Sequence, residues 1–151
     1  MSDSEIVENG ICPGDVITDL AWHCSPNGRF ADSYEGLSLA DYRTLKIAAG
    51  EHRCCRECSM QLLINSLGFT KGGVTRIVDR LERRGLVNRC RLAEDGRVCC
   101  VLLTDAGREK FERIESALRS RIEAVLERLP ADRRETLRAA LPDLLAEIKN
   151  S

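Results

Sequence analysis

Eight cysteines in a chain of 151 residues are the feature most able to do chemistry. The densest group is Cys54-Cys55-Arg56-Glu57-Cys58, with Cys24 upstream and Cys90, Cys99 and Cys100 downstream. Thiols in this number have three uses. As thiolates they are nucleophiles and redox centres, which requires a lowered pKa and solvent access, and His52, Arg53 and Arg56 set positive charge beside the group. As ligands, Cys54 or Cys55 with Cys58, Cys24 and one further thiol make a four-ligand set for zinc or an iron–sulfur cluster, although no two separated C-x-x-C pairs are present. As small apolar side chains they pack, the ordinary fate of Cys90, Cys99 and Cys100 in strands. The expectation is a sensing role, by thiol redox or by a metal or iron–sulfur site, for Cys24, Cys54, Cys55 and Cys58, with Cys90, Cys99 and Cys100 as weaker candidates. Cys55-x-x-Cys58 also fits a dithiol oxidoreductase, but such motifs belong to a βαβ frame that this sequence lacks. With His23 and His52 the only histidines, a Cys–His nucleophile has no visible third member, and no enzyme is expected.

The rest of the chain must position these groups. At 43% hydrophobic and 31% charged residues it reads as one soluble folded domain over 1–151. No run approaches the roughly 18 apolar residues of a membrane span, and Met1-Ser2-Asp3-Ser4-Glu5 is acidic where a signal peptide is basic, so a cytoplasmic location is expected. Structural disulfides are rare there, which is why the cysteines need another account. The net charge of −1 hides segregation. From Thr70 to Cys100 eight basic residues (Lys71, Arg76, Arg80, Arg83, Arg84, Arg89, Arg91, Arg97) face four acidic ones (Asp79, Glu82, Glu94, Asp95), a local charge of +4, whereas the first 20 residues hold five acids and no base.

Periodicity supplies the elements. A helix is expected over about 13–24, opened by Pro13 and broken by Ser25-Pro26-Asn27-Gly28. A second runs from the Ser38–Asp41 capping box to about Ala49, and a third from about Ser59 to Leu67, with Arg53-Cys54-Cys55 as a short strand between them. Thr70 caps a fourth helix whose Val74, Ile77, Val78 and Leu81 fall at i, i+3, i+4 and i+7, with Lys71, Thr75, Arg76, Asp79, Arg80 and Arg83 on the opposite surface. Strands over 87–92 and 97–103 follow, joined by Ala93-Glu94-Asp95-Gly96, which sets Cys90 opposite Cys99. A long helix from Asp105 carries Phe111, Ile114, Leu118, Ile122, Val125 and Leu129. After Pro130, an Asp132–Glu135 capping box opens a last helix with Leu137, Leu141, Leu144, Leu145 and Ile148, which Pro142 kinks. Such long amphipathic ends need a partner, and a homodimer is expected.

Helix, Gly-containing turn, second helix and basic hairpin in this order make a winged helix-turn-helix, which puts one helix in the DNA major groove and a wing on adjacent phosphates or the minor groove. The fold class is thus mainly α with a small β-wing, the DNA-binding part over about 37–104 being flanked by dimerisation helices over about 1–36 and 105–151. Leu67-Gly68-Phe69-Thr70-Lys71-Gly72-Gly73-Val74-Thr75-Arg76, then Val78-Asp79-Arg80-Leu81-Glu82 and Gly85-Leu86-Val87, resembles the recognition-helix signature of the MarR family of regulators. Glu94-Asp95-Gly96-Arg97 and Leu103-Thr104-Asp105-Ala106-Gly107 resemble its wing and the start of its long helix. The resemblance implies a homodimer on a near-palindromic double-stranded operator, commonly a repressor released by a small signal. The first helix and the cysteines depart from the family pattern.

By their chemistry, Arg76 and Arg80 suit guanine edges or phosphates, Thr70, Lys71, Gly72 and Thr75 suit phosphates near the helix start, and Arg97 suits the minor groove with Asp95 orienting it. The short strand at Cys54-Cys55 is expected to pair with the base of the wing. Two alternatives stand beside cysteine sensing: a regulator answering a small organic ligand with structural cysteines, and a winged-helix adaptor that binds protein. The local +4 argues against the adaptor.

Overall fold

A computed structural model describes residues 12–50, 58–91 and 98–151. Cys54, Cys55, Asp95 and Arg97, with the expected strand at Arg53-Cys54-Cys55, lie outside them. The chain divides into two compact units, Met1–Glu115 and Ser116–Ser151.

In the first unit, α1 (Pro13–His23) is followed by a 3-10 turn (Ala31–Tyr34), α2 (Leu39–Ala48), α3 (Met60–Leu67), α4 (Lys71–Arg83), β1 (Val87–Arg91), β2 (Cys99–Leu103) and the start of α5 (Asp105–Leu126). Side-chain caps decide where the helices begin. The Ser38 hydroxyl accepts from Asp41 N and the Asp41 carboxylate from Ser38 N, both at 3.1 Å, a closed capping box. Ser59 Oγ accepts from Leu62 N and Thr70 Oγ1 from Gly73 N, fixing the first turns of α3 and α4. Between these two helices Gly68 takes φ 68°, a left-handed turn open to glycine at no steric cost, and so ends α3.

The core joins these elements through Leu45, Leu63, Val74, Val78, Leu81, Val87, Val101 and Ile114, all essentially inaccessible. Each such side chain contributes roughly 1.5–3 kcal/mol of burial. The start of α5 lies against the turn before β1. Thr104 Oγ1 donates to Gly85 O at 2.6 Å and accepts from Gly107 N at 3.0 Å, and Thr104 N donates to Leu86 O. A Cβ on Gly107 would stand 1.9 Å from the Leu86 carbonyl oxygen, so only glycine permits this approach. The Leu103-Thr104-x-x-Gly107 motif is therefore a cap and a close contact in one.

The wing register differs by one residue from that expected. Cys90 pairs with Cys100, not Cys99, and Val87 with Leu103. This register places Val101 and Leu103 on the Val87 face, where Val87 and Val101 are both fully buried, and turns Leu102 out to 46% exposure. The strand contact at the wing base runs through Ser59, which bridges to Cys100, while Val101 N donates to Cys58 O at 2.8 Å.

The second unit holds the end of α5 and α6 (Ala131–Asn150), tied by Arg134–Glu127 at 2.7 Å and by Arg138–Glu123. The expected Asp132–Glu135 box does not form. Pro130 occupies the N-cap without a side-chain bond, and its carbonyl accepts the first helical bond from Arg134 N, so the helix starts ahead of Asp132. It continues through Pro142, whose missing N–H costs one bond to the carbonyl of Arg138. α6 buries none of its residues here, and Leu141, Leu144, Leu145 and Ile148 stand 42–54% exposed. In the first unit α1 likewise buries none, with Leu20 and Trp22 each at 57%. Among the described residues no helix is long and apolar enough to cross a membrane.

Candidate nucleic-acid interface

α4 is the helix whose surface chemistry suits DNA, and its neighbours decide which of its residues face outward. Val74, Ile77, Val78 and Leu81 turn into the core. On one flank Arg80 reaches Asp41 of α2: its Nη2 lies 2.6 Å and its Nε 3.0 Å from Asp41 Oδ1. Asp41 is buried, and the same carboxylate closes the α2 capping box. Arg80 is thus held by an ion pair inside the protein, with 41% of its side chain exposed.

The other flank faces the wing. Thr75, Asp79 and Glu82 share a helix face at i, i+4 and i+7, and Arg89 of β1 meets all three. Its Nη2 lies 2.6 Å from Asp79 Oδ1 and 3.4 Å from the Thr75 carbonyl, and its Nη1 2.6 Å from Glu82 Oε2. Its backbone N–H also donates to Glu82 at 3.2 Å. Burial by itself would lower the Arg89 pKa; the hydrogen bonds and charges of Asp79 and Glu82 outweigh it and raise the pKa above the ordinary arginine value.

What remains outward is Lys71, Gly72, Arg76 and Arg83. Lys71 and Arg76 enter no ion pair with another described residue. A Cβ on Gly72 would meet nothing within 4 Å, so the first turn is bare backbone. The Thr70 hydroxyl is spent on Gly73 N, and Thr75 Oγ1 donates to Lys71 O at 2.8 Å. The N–H groups of Lys71 and Gly72 have no place in the helical ladder and point toward whatever approaches this end, the arrangement that receives phosphate.

The model of the MarR family matches residues 35–98. An uncharacterised HTH-type transcriptional regulator of Bacillus subtilis, YdgJ, is 36% identical over 95 residues, covering 63% of this chain. The match spans 56% of that relative's length. Wild-type MarR from E. coli superposes with a TM-score of 0.70 at 24% identity, over 89% of this chain and 98% of that one. A mutant of S. aureus MepR solved bound to an oligodeoxyribonucleotide superposes with a TM-score of 0.62 at 16% identity, over 98% and 99% of the two chains.

Over residues 35–98 the chain is similar to the MarR family.

Within this winged-helix fold the described cysteines are spread out, and no three of the described His, Cys, Asp and Glu residues group as metal ligands would. Cys24 caps the end of α1, where its carbonyl accepts from the Tyr34 hydroxyl at 2.7 Å. Cys58 and Cys100 are buried together at the wing base. Burial, then the neighbouring Cys100, pushes the Cys58 thiol up to about 12, the opposite of what a reactive or ligating thiol needs. Cys90 and Cys99 are half-buried and Cys12 is exposed.

Sequence reasoning missed Asp41 and Arg89 as site residues. Asp41 was read only as a cap and Arg89 only as positive charge. The available signal was two carboxylates, Asp79 and Glu82, on a helix otherwise rich in basic side chains and followed by an arginine-bearing strand.

A second cluster carries the α2–α5 contact. Tyr42 stacks on Phe111 and meets Tyr34 edge-on, its hydroxyl donates to Glu115, and Lys46 Nζ lies 3.1 Å from the same carboxylate. Burial and the bond to Glu115 push Tyr42 up to about 12.

Proposed function

We propose that this chain is a sequence-specific DNA-binding transcriptional regulator, a repressor, that acts as a homodimer on a near-palindromic double-stranded operator. The observation that carries the reading is α4 itself. Both its flanks are occupied by ion pairs to the protein, and the surface left free bears Lys71, Arg76, Arg83 and a bare first turn. In this reading Arg76 reads base edges, the Lys71 side chain and the N–H groups of Lys71 and Gly72 position the helix on phosphates, and Arg97, oriented by Asp95, serves the minor groove. The related fold of MepR, solved with an oligodeoxyribonucleotide, supports it. The apolar, uncovered faces of α1 and α6 are the surfaces a second copy would cover. A protein-binding adaptor would not need this cationic surface.

The test is enrichment of duplexes from a random pool by the full chain, followed by a salt titration of binding to the enriched duplex. Affinity falling steeply and linearly in log salt supports the reading. No enrichment, or binding indifferent to salt, defeats it.

For control of activity we propose the cysteines over a small organic ligand, because Cys54 and Cys55 carry His52, Arg53 and Arg56 beside them. The buried Cys58 thiol serves packing in this reading. A variant with Cys54→Ser and Cys55→Ser that responds to oxidants, zinc and iron as the parent does would remove the proposal.

A further inference from the structure

Two acidic side chains, Asp79 and Glu82, lie on the helix proposed to approach DNA, where unpaired carboxylates would repel phosphate. Both are taken up by one guanidinium from the wing. We infer that Arg89 is the positioning residue of the wing, fixing β1 against α4 so that the wing's outward cations meet DNA at a set distance from Arg76. The inference rests on the DNA-binding reading.

The geometry supports positioning over direct contact. The Arg89 fork has a carboxylate oxygen at 2.6 Å on each Nη and a carbonyl at 3.4 Å on Nη2, so both ends of the fork are already held by α4. Its backbone N–H on Glu82 fixes the main chain of β1 as well as the side chain. Thr75, Asp79 and Glu82 span about two turns of α4, so the contact sets both spacing and angle between helix and strand. Two residues on, Arg91 lies on the same face of β1, and it is exposed. Arg91 is the wing cation this clamp would aim. Lysine offers a single point charge where arginine offers a fork, so it cannot hold both carboxylates in the same way.

Simple electrostatics and positioning predict opposite results for one variant. Asp79→Asn combined with Glu82→Gln removes two negative charges from beside the DNA. If charge alone mattered, binding would tighten. The test uses the full chain, a duplex enriched by the wild type and a scrambled duplex of equal length, with affinity normalised to the folded fraction from circular dichroism.

Positioning predicts that the double variant and Arg89→Ala each bind the enriched duplex roughly tenfold or more weakly, lose preference over the scrambled duplex, and do not add when combined. Arg89→Lys falls between, and it serves as the folded variant should the alanine form not fold. Arg91→Ala lowers the salt slope by about 1 and keeps the preference, as a phosphate contact does. Tighter or unchanged binding by the double variant overturns the inference while wild-type binding stands. If the wild type enriches no duplex, the DNA reading fails and takes the inference with it.

Discussion

Asp41 holds Arg80: the carboxylate of a buried α2 residue lies 2.6 Å from the guanidinium of an α4 residue, and the same carboxylate accepts from Ser38 N to close a helix cap. One side chain thus starts α2 and pins the proposed DNA-reading helix to it. Arg80→Ala leaves that buried carboxylate without its cation and should cost about 1.5–3 kcal/mol in urea unfolding. Asp41→Ala should cost about 1 kcal/mol more, for the lost cap. If Arg80 acts through Asp41, its loss weakens DNA binding without changing the salt slope; a slope lower by about 1 would make it a phosphate contact instead.

Gly107→Ala tests the junction of the wing and α5. The added methyl would fall 1.9 Å from the Leu86 carbonyl oxygen, a backbone atom that can yield only by moving β1 or α5. Overpacking of this kind costs about 1–3 kcal/mol, and a rigid backbone contact lies at the upper end. Thermal unfolding of the variant should show a lower midpoint, and an unchanged midpoint would refute the close approach.

Much of this arrangement was legible in the sequence. The i, i+3, i+4, i+7 spacing of Val74, Ile77, Val78 and Leu81 identified the buried face of α4, because burial enforces helical periodicity. Ser38, Ser59 and Thr70 marked helix starts because their hydroxyls satisfy otherwise orphaned N–H groups. Asp132 and Glu135 had the same spacing yet cap nothing, since Pro130 had already begun the helix. The wing register turned on whether the connection holds an odd or even number of residues, which turn composition does not specify. Pairs such as Arg80 with Asp41, 39 positions apart, leave no local pattern at all.

Glu35 should make the stability of the first unit acid-sensitive. Hydrogen bonds from Arg113, and then Lys110, hold its carboxyl below the usual range against the opposing effect of burial. A carboxylate with a lowered folded pKa stabilises the fold while charged. Its contribution is complete above the ordinary glutamate range and disappears as the pH falls through the lowered value. Comparison of wild type with Glu35→Gln by urea unfolding should show a difference near neutrality that closes on acidification. A gap independent of pH would contradict this assignment.

Thiol labelling separates the cysteines by environment. Near neutral pH, iodoacetamide should modify exposed Cys12 in the native chain and leave Cys58 untouched, since its thiol is buried and pushed up to about 12. Denaturation should make both react. Rapid native labelling of Cys58, read by peptide mass spectrometry, would mean that the wing base opens.

The central claim is that the outward surface of α4 reads DNA, and Arg76 tests it most directly. Fluorescence anisotropy of the full chain on its enriched duplex, with Arg76→Ala measured beside the wild type at equal salt, should show a loss of about 1–3 kcal/mol in affinity, relaxed preference at one base position, and an unchanged unfolding midpoint. Equal affinity and equal base preference in the two proteins would contradict the account.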